Sequence, residues 1–519
     1  MTAAVPAWLR PLALRPPPAE AEPAWRYLPL CLAAALLLRL GLGLFTDAVI
    51  YPEELQQYLE QGHRFAFGYG VTTWEWEYGA RSPLLPGFIA LLLLPFKWTG
   101  LDDPVWYVPF VKAVFCCISL LIPWGLYHHA RHQHGERAGR IALLLGCVCF
   151  YLLVFAARPL VEIVATCAVL GLLGLLGRPF ARRNAGAIVF GAVLGLFAYL
   201  RHQYLPAFGM LWLAAVLAMP RAWALRSALA GATVFGAGGV VDWIHWGLPF
   251  NKIYINILFN LVADDEIMAA WKWFYPQRLL FASAGGWLLA LWAWTRRPRS
   301  HLPVIAIALA VFIPHTVINN KEFRFVFPLL VLWIPAAAAL LAELRTMRFS
   351  FVRRNLTPAF LVLQIGFGTL LAAGAVKDFW LHRWGEVYKG DQRLGYLHNS
   401  PRYLQAQRWL HRQEDLEGLL VVHDDHNYYH LHRDVPIYNT ETYAEALERS
   451  PGRKLVSHVV VWGLFTNDSY EQIKEFDGGI RVYRSTAPGP VHADAFDPHM
   501  RYQYIAQLAA KHLPPPRRR

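Results

Sequence analysis

The chain has 519 residues, of which 56% are apolar and only 16% charged, against a charged share of about 25% in ordinary soluble domains. That composition excludes a string of soluble domains and indicates a polytopic membrane protein. A net charge of +13 would suit nucleic acid, but much of the Arg lies in short loops between apolar runs, where membrane topology accounts for it, and no DNA or RNA motif is present.

In chain order, residues 1–27 are rich in Pro and Ala and end in Arg26 before the first apolar run. With no short apolar core and small-residue cleavage site, they read as a cytoplasmic tail and not a signal peptide. Candidate spans follow at 28–45, 106–127, 141–157, 160–176, 185–200, 204–219, 227–243, 278–295, 301–318, 325–342 and 356–376. Several fall short of about 20 residues and must tilt little or extend into their flanks. The apolar run 83–98 begins Pro83-Leu84-Leu85-Pro86 and reads as a surface or re-entrant helix that does not cross. The loops at 128–140, 177–184, 220–226, 296–300 and 343–355 then share one side with the N-terminal tail. They carry Arg131, Arg137, Arg140, Arg178, Arg182 and Arg183, and further Arg residues in the later loops. The positive-inside rule makes that side cytoplasmic. Loop 46–105, the Arg158/Glu162 turn, Arg201-His202, loop 242–277, the 320–324 turn and everything after 376 fall outside.

The fold expected is thus an all-α polytopic membrane protein of about eleven spans, with a membrane domain at 28–376 and a small extracytoplasmic α/β domain at 377–510. Within the latter, helical spacing at 401–413 precedes a strand at 418–422, a strand at 457–462, a helix near 469–475 and a strand near 480–484. Residues 511–519 read as a disordered basic tail. Cys31, Cys116, Cys117, Cys147, Cys149 and Cys167 all lie in apolar segments, so no disulfide framework is implied. High Arg and Ala usage suggests a GC-rich bacterial genome and hence an inner membrane. In such a source the N-glycosylation pattern Asn467-Asp468-Ser469 would go unused. No internal repeat of the kind seen in many transporters is evident.

The stretch 47–86 is too charged to cross a bilayer. It carries Asp47, Glu53, Glu54, Glu60, Glu75 and Glu77, with Arg64 and Arg81, among Tyr, Trp and Phe. Carboxylates near a membrane surface, with aromatics to hold them there, suit a place where a water-soluble group meets a lipid-borne one. The plain alternative is an amphipathic interfacial helix pair. Glu75 and Glu77 flank Trp76. Aromatic faces stack on sugar rings and carboxylates accept from hydroxyls, so Thr73-Trp74-Glu75-Trp76 suits sugar binding, against an ordinary aromatic belt. Arg158 and Glu162, spaced i,i+4 at a span boundary, would offset each other's cost on one helical face. Arg201 and His202 are candidates for phosphate contact. Lys321, Glu322 and Arg324 form a second cluster: Arg offers a planar fork to phosphate and Lys a point charge, with Glu322 able to hold one of them. Topology alone does not favour cations on that face. His423-Asp424-Asp425-His426 and His430 lack zinc-motif spacing, and no metal is assigned.

The order Pro52-Glu53-Glu54, Gln57, Phe67-Gly68-Tyr69-Gly70, Thr73-Trp74-Glu75-Trp76 and Arg81-Ser82, with Asn320-Lys321-Glu322-Phe323-Arg324-Phe325 far downstream, resembles a known family. It is similar to the lipid-phosphate-mannose-dependent mannosyltransferases of glycosyltransferase family 22, above all their GPI mannosyltransferase III branch. That family reads Pro-Asp-Glu at the first block and His-Lys-Glu-Phe-Arg-Phe at the second. The resemblance implies a GT-C fold and transfer of a hexose, mannose in the family, from a polyprenyl-phosphate carrier to a lipid-linked or glycan acceptor on the outer side. It places the catalytic base at Glu53, with Glu54 or Asp47 as alternatives. Together with the residue readings above, substrate contacts are expected from Gln57, Trp74, Glu75, Trp76, Arg81, Arg158, Arg201, Lys321, Glu322 and Arg324, and from His430, whose stretch the resemblance reads as a lid or acceptor contact. Membrane lipid, donor and acceptor are the expected partners, with no nucleic acid and no cofactor beyond the donor. A lipid or sugar transporter or flippase, or a non-catalytic protein of the same fold, is the alternative that Glu53 and Asn320 keep open.

Overall fold

The structure, a computed structural model, describes residues 6, 9–20, 23–45, 51, 53–262, 273–318, 321–344, 350–373, 402–422, 433–476, 479–493 and 509–515. In chain order its helices are α1 Leu28–Phe45, α2 Glu60–Phe67, α3 Trp74–Glu77, α4 Leu84–Thr99, α5 Pro104–Ser119, α6 Leu121–His134 and α7 Glu136–Val148. There follow α8 Phe150–Phe155, α9 Val161–Leu176, α10 Asn184–Leu200, α11 Leu205–Val216, α12 Arg221–Trp246, α13 Asn251–Val262 and α14 Phe274–Ala282. The series continues with α15 Gly286–Arg296, α16 Pro298–Val317, α17 Leu329–Leu332, α18 Ile334–Leu344, α19 Ser350–Ala372, α20 Arg402–His411 and α21 Thr440–Arg449.

All eleven apolar runs are largely helical, but several are broken. Leu120 separates α5 from α6 and Cys149 separates α7 from α8. Ala284 and Gly285, at φ 44° and 81°, separate α14 from α15. Among the described residues, five helical stretches are long and apolar enough to cross a membrane: Leu28–Phe45, Pro104–His134, Arg221–Trp246, Pro298–Val317 and Asn355–Ala372. Leu84–Thr99, Val161–Leu176, Asn184–Leu200 and Leu329–Leu344 are apolar but shorter.

The chain divides into two compact units. The first comprises residues 1–45, 112–250 and 264–380. In it α6 packs on α7 and α9, α11 on α16, α15 on α18, and α10 on α12. The last pair approaches through glycine: a Cβ on Gly191 would stand 1.9 Å from the Ser227 carbonyl oxygen, and one on Gly195 2.1 Å from that of Gly231. Lipid gives apolar helices no hydrophobic reason to associate, so close backbone packing supplies the attraction. Arg39 of α1 is fully buried. Its guanidinium donates to Ser119 Oγ, Ala35 O and Gly146 O, each at 3.1 Å. Those bonds fasten α1 to α5 and α7 and satisfy a charge that would otherwise be costly there.

The second unit comprises residues 46–111, 251–263 and 381–519. Its strands are β1 Leu419–Val422, β2 Ile437–Asn439, β3 His458–Trp462, β4 Tyr470–Phe476 and β5 Ile480–Ser485, in the order β2-β1-β3-β5-β4. β1 pairs in parallel with β2 and β3, while β5 runs antiparallel to β3 and β4. Leu419 and Val421 enter one core with Ala406, Leu410 and Ile480, and Leu420 enters the other with Tyr438 and Val459, as the two-residue period of a strand requires. Val71, from the charged loop near the N-terminus, belongs to the first of these cores.

Two sequence expectations are corrected here. The helix near 469–475 is strand β4. Glu471 and Glu475 stand opposite Arg484 and Arg481 in register and pair with them at 3.0 and 3.1 Å, a cross-strand arrangement that a helix could not offer. Helix α21 was not expected. Asn439 begins it with a capping box, its Oδ1 accepting from Thr442 N at 2.8 Å while Thr442 Oγ1 accepts from Asn439 N at 3.0 Å.

Candidate functional site

In the second unit the site begins with a π-helical turn, Glu54–Leu59, that runs into α2. A turn of this kind is rare and frequent at functional sites. Glu53 stands half-buried at its start and Glu54 is buried, its Oε1 accepting from the Tyr51 N–H at 3.4 Å. Gln57 Nε2 donates to Glu75 Oε1 at 2.8 Å, and Arg81 Nη2 lies 3.9 Å from the same oxygen. Trp76 is buried, donates from Nε1 to Gln57 O at 3.2 Å, and meets Phe65 edge-on at 5.6 Å. Trp74 is half-buried against Phe259 at 4.7 Å. Gln57, Trp74, Glu75, Trp76 and Arg81 are therefore drawn together. Several buried polar atoms of this cluster have no hydrogen-bond partner among the described residues: Gln57 Oε1, Glu75 Oε2, Arg81 Nε and the hydroxyls of Thr72 and Thr73. A buried polar atom left in that condition is costly, so the arrangement is one that a hydroxylated ligand would complete.

Glu60 lies behind this cluster, fully buried, and accepts from Val71 N at 2.7 Å. Burial raises its carboxyl above the usual carboxylate range, against the opposing pull of His63, the Val71 N–H and Arg64. Gly70, at φ 132°, makes the approach possible, because a Cβ there would stand 2.5 Å from Glu60 Oε1 and 2.6 Å from Arg64 Cγ. Glu60 was read in the sequence as one acid among several. Nothing in its spacing signalled that it would be buried.

The first unit carries a separate cationic cluster. Arg201 ends α10, and its Nη2 lies 3.2 Å from Glu162 Oε1 in the first turn of α9. Arg324 donates from Nε to Glu322 Oε2 at 2.6 Å and from Nη2 to Glu322 Oε1 at 3.2 Å, a two-pronged pair. Lys321 Nζ donates to Ile318 O at 2.6 Å. Both guanidiniums lie over the ring of Phe325, Arg201 at 5.1 Å and Arg324 at 5.3 Å from its centre. Tyr204 and His315 close the group, with rings 5.7 Å apart. Arg158, Glu162, Arg201, Lys321, Glu322 and Arg324 are all buried, four cations against two carboxylates, of which Glu162 pairs with Arg201 and Glu322 with Arg324. Arg201 Nε has no acceptor among the described residues. The expected i,i+4 helical spacing of Arg158 and Glu162 is corrected: α9 starts at Val161, so Pro159 and Leu160 interrupt any shared helix, and Arg158 directs its Nε to Val154 O at 3.4 Å. The ring of Phe325 was missed as a shared platform, although it stands beside Arg324 in the sequence; Tyr204 and His315 carried no signal. Asp47, Asn320, His423–His426 and His430 lie outside the described residues. Among the described residues, no group of three or more His, Cys, Asp or Glu could hold a metal ion.

Comparison with known proteins follows the same lines. The chain is similar to GPI mannosyltransferase 3 of Yarrowia lipolytica, with 28% identity over 423 residues that cover 77% of this chain and 74% of the relative. It is 24% identical over 432 residues to the mannosyltransferase APTG1 of Arabidopsis thaliana, covering 78% and 75% of the two chains. In fold it is similar to ArnT from Cupriavidus metallidurans, solved bound to undecaprenyl phosphate, with a TM-score of 0.54 at 15% identity over 89% of this chain and 99% of that one. The chain is therefore a multi-pass membrane glycosyltransferase of the GT-C fold. Its residues 30–377 match the Alg9-like mannosyltransferase family, and it belongs to that family.

Proposed function

We propose that this mannosyltransferase takes a hexose, mannose in the first instance, from a polyprenyl-phosphate carrier and transfers it with inversion to a hydroxyl of a lipid-linked or glycan acceptor. The observation that carries the reading is the pair of buried guanidiniums, Arg201 and Arg324, over the ring of Phe325, with Lys321 buried three residues before Arg324, which offers positive charge and planar donors to a phosphate leaving group. The bound undecaprenyl phosphate of the ArnT structure supports a carrier of that class. In the transfer, the acceptor oxygen attacks the anomeric carbon and the bond from that carbon to the phosphate oxygen breaks. The phosphate departs with the electron pair, and Glu53 takes the acceptor's proton as general base. Glu54, committed to the Tyr51 amide, is the second choice. The open atoms at Gln57, Glu75, Thr72 and Thr73 suit sugar hydroxyls, with Trp74 and Arg81 beside them, and His430 is kept as a lid or acceptor contact.

The eleven-span reading of the sequence favours transfer on the extracytoplasmic face, opposite the Arg-rich loops. The relatives named here are eukaryotic and lend no support to a bacterial inner membrane, which rested on residue usage alone. Family membership favours an enzyme over the transporter and non-catalytic alternatives. The test is direct. Purified protein is incubated with radiolabelled mannosyl-phospho-polyprenol or with the corresponding nucleotide sugar, and a glycolipid acceptor. Transfer from the lipid donor alone is the expected result. Transfer from the nucleotide sugar alone would overturn the proposal.

A further inference from the structure

The first unit has a polar hollow in the Arg-rich loops that the sequence topology assigns to the cytoplasmic side. It is a pocket of about 100 Å3 lined by Pro18, His128, Arg131, His132, Gly177 and Arg178, among others. One water needs about 10–15 Å3, so an oxyanion with its first waters fits. No carboxylate is among its lining residues. Glu136, outside it, pairs with Arg131 at 2.7 Å, but the guanidinium of Arg178 is half-buried and has no hydrogen-bond or ion-pair partner among the described residues. One wall is the Pro-rich N-terminal segment, held as a strap. Leu14 N donates to Ala214 O at 3.1 Å and Arg15 N to Gln133 Oε1 at 3.3 Å. Arg182 Nε donates to Pro17 O at 2.6 Å and Arg131 Nη2 to Pro23 O at 3.0 Å.

We propose that this pocket binds a phosphate-class anion, supplied either by the headgroup of an anionic lipid in that leaflet or by free phosphate. The positive-inside rule explains why Arg occurs in these loops. It does not explain two guanidiniums and two imidazoles around one hollow with no acid in its lining, or a fixed proline wall beside an Arg178 guanidinium with no partner among the described residues. Neither the donor nor the acceptor of the transfer reaction is needed for this site, which stands apart from the residues assigned to it.

The experiment uses the full chain in nanodiscs and reads the thermal unfolding midpoint, which a ligand of the folded state raises by mass action. One arm titrates inorganic phosphate into phosphatidylcholine discs against potassium chloride of equal ionic strength. The other replaces part of the phosphatidylcholine with phosphatidylglycerol. A rise in the first arm identifies free phosphate, and in the second a lipid headgroup. Arg178→Gln should weaken the apparent affinity by about tenfold or more, and Arg178→Lys by less, since it keeps the charge without the fork. Arg183→Gln, at an exposed position outside the lining, should respond as the wild type does. Phosphate bound at the transfer site would be insensitive to Arg178, so equal responses of wild type and Arg178→Gln in both arms overturn the proposal, as does the absence of any rise.

Discussion

The two charged clusters differ in sign and in how their charges are paired, although each keeps buried atoms without partners among the described residues, Arg201 Nε and the Tyr204 hydroxyl in the first unit. In the first unit each of Arg201 and Arg324 has its own carboxylate and shares the ring of Phe325, and Lys321 is tied to a carbonyl. In the second unit Gln57, Glu75, Thr72, Thr73 and Arg81 retain buried atoms without partners among the described residues. A fixed array of positive charge is suited to holding a phosphate that gains negative charge as it departs with the bonding electron pair. A set of open acceptors and donors is suited to a ligand with many hydroxyls that must be released after each turnover. On the proposed function, the first cluster binds the carrier and the second handles the sugar and the proton.

The comparison is broken most severely at Arg324. Arg324→Ala leaves Glu322 buried without its partner, and removal of one member of a buried pair costs about 3–5 kcal/mol. We expect loss of donor binding together with a large fall in unfolding temperature. Arg324→Lys should recover much of the stability and little of the binding, because Lys lacks two-pronged geometry. Donor binding at wild-type strength in both variants would make the cluster structural.

Changes in the carboxylate cluster should leave the fold alone and act on turnover. Glu53→Gln is expected to lower kcat by about 10²–10⁴-fold with donor binding and unfolding temperature near normal, and Glu54→Gln to do less. The reverse ranking, read from the same steady-state assay, moves the base by one residue. Glu75→Gln should be milder, about tenfold in KM for the sugar-bearing substrate, since Gln57 and Arg81 would keep an oxygen to contact. An unchanged KM would remove Glu75 from the sugar site.

Much of this division was legible in the sequence, because motif residues close together in the chain bring their own neighbours: Lys321, Glu322 and Arg324 fall within four residues, and Trp74, Glu75 and Trp76 lie on one helical turn. What was not legible depends on partners far away. The Glu162–Arg201 pair joins two helices, and nothing in the spacing of either residue names the other. Val71 joins the core of a sheet whose strands begin at Leu419, so the charged loop and the C-terminal α/β elements fall in one unit although more than three hundred residues separate them. Strand β4 was misread because its charges alternate with few apolar residues, and only the arginines of β5 opposite them decide its conformation.

The smallest expected effect concerns Glu60 and bears on the stability of the second unit without touching the open atoms beside it. Its carboxyl is raised by burial. Between the ordinary carboxylate range and that raised value, the folded chain holds a proton that the unfolded chain has shed. Stability therefore declines as pH rises through that window, since it falls wherever the folded state binds more protons. Glu60→Gln retains an oxygen for the Val71 N–H and cannot ionise. It should flatten this part of the pH dependence and leave the unfolding temperature at neutral pH equal to or slightly above that of the wild type. Thermal unfolding followed between pH 4 and about 8 reads the difference. If the two proteins show the same slope, Glu60 keeps its charge in the folded state, paired with Arg64 or His63 nearby, and the second unit holds this buried acid by ion pairing, as the first unit holds its arginines.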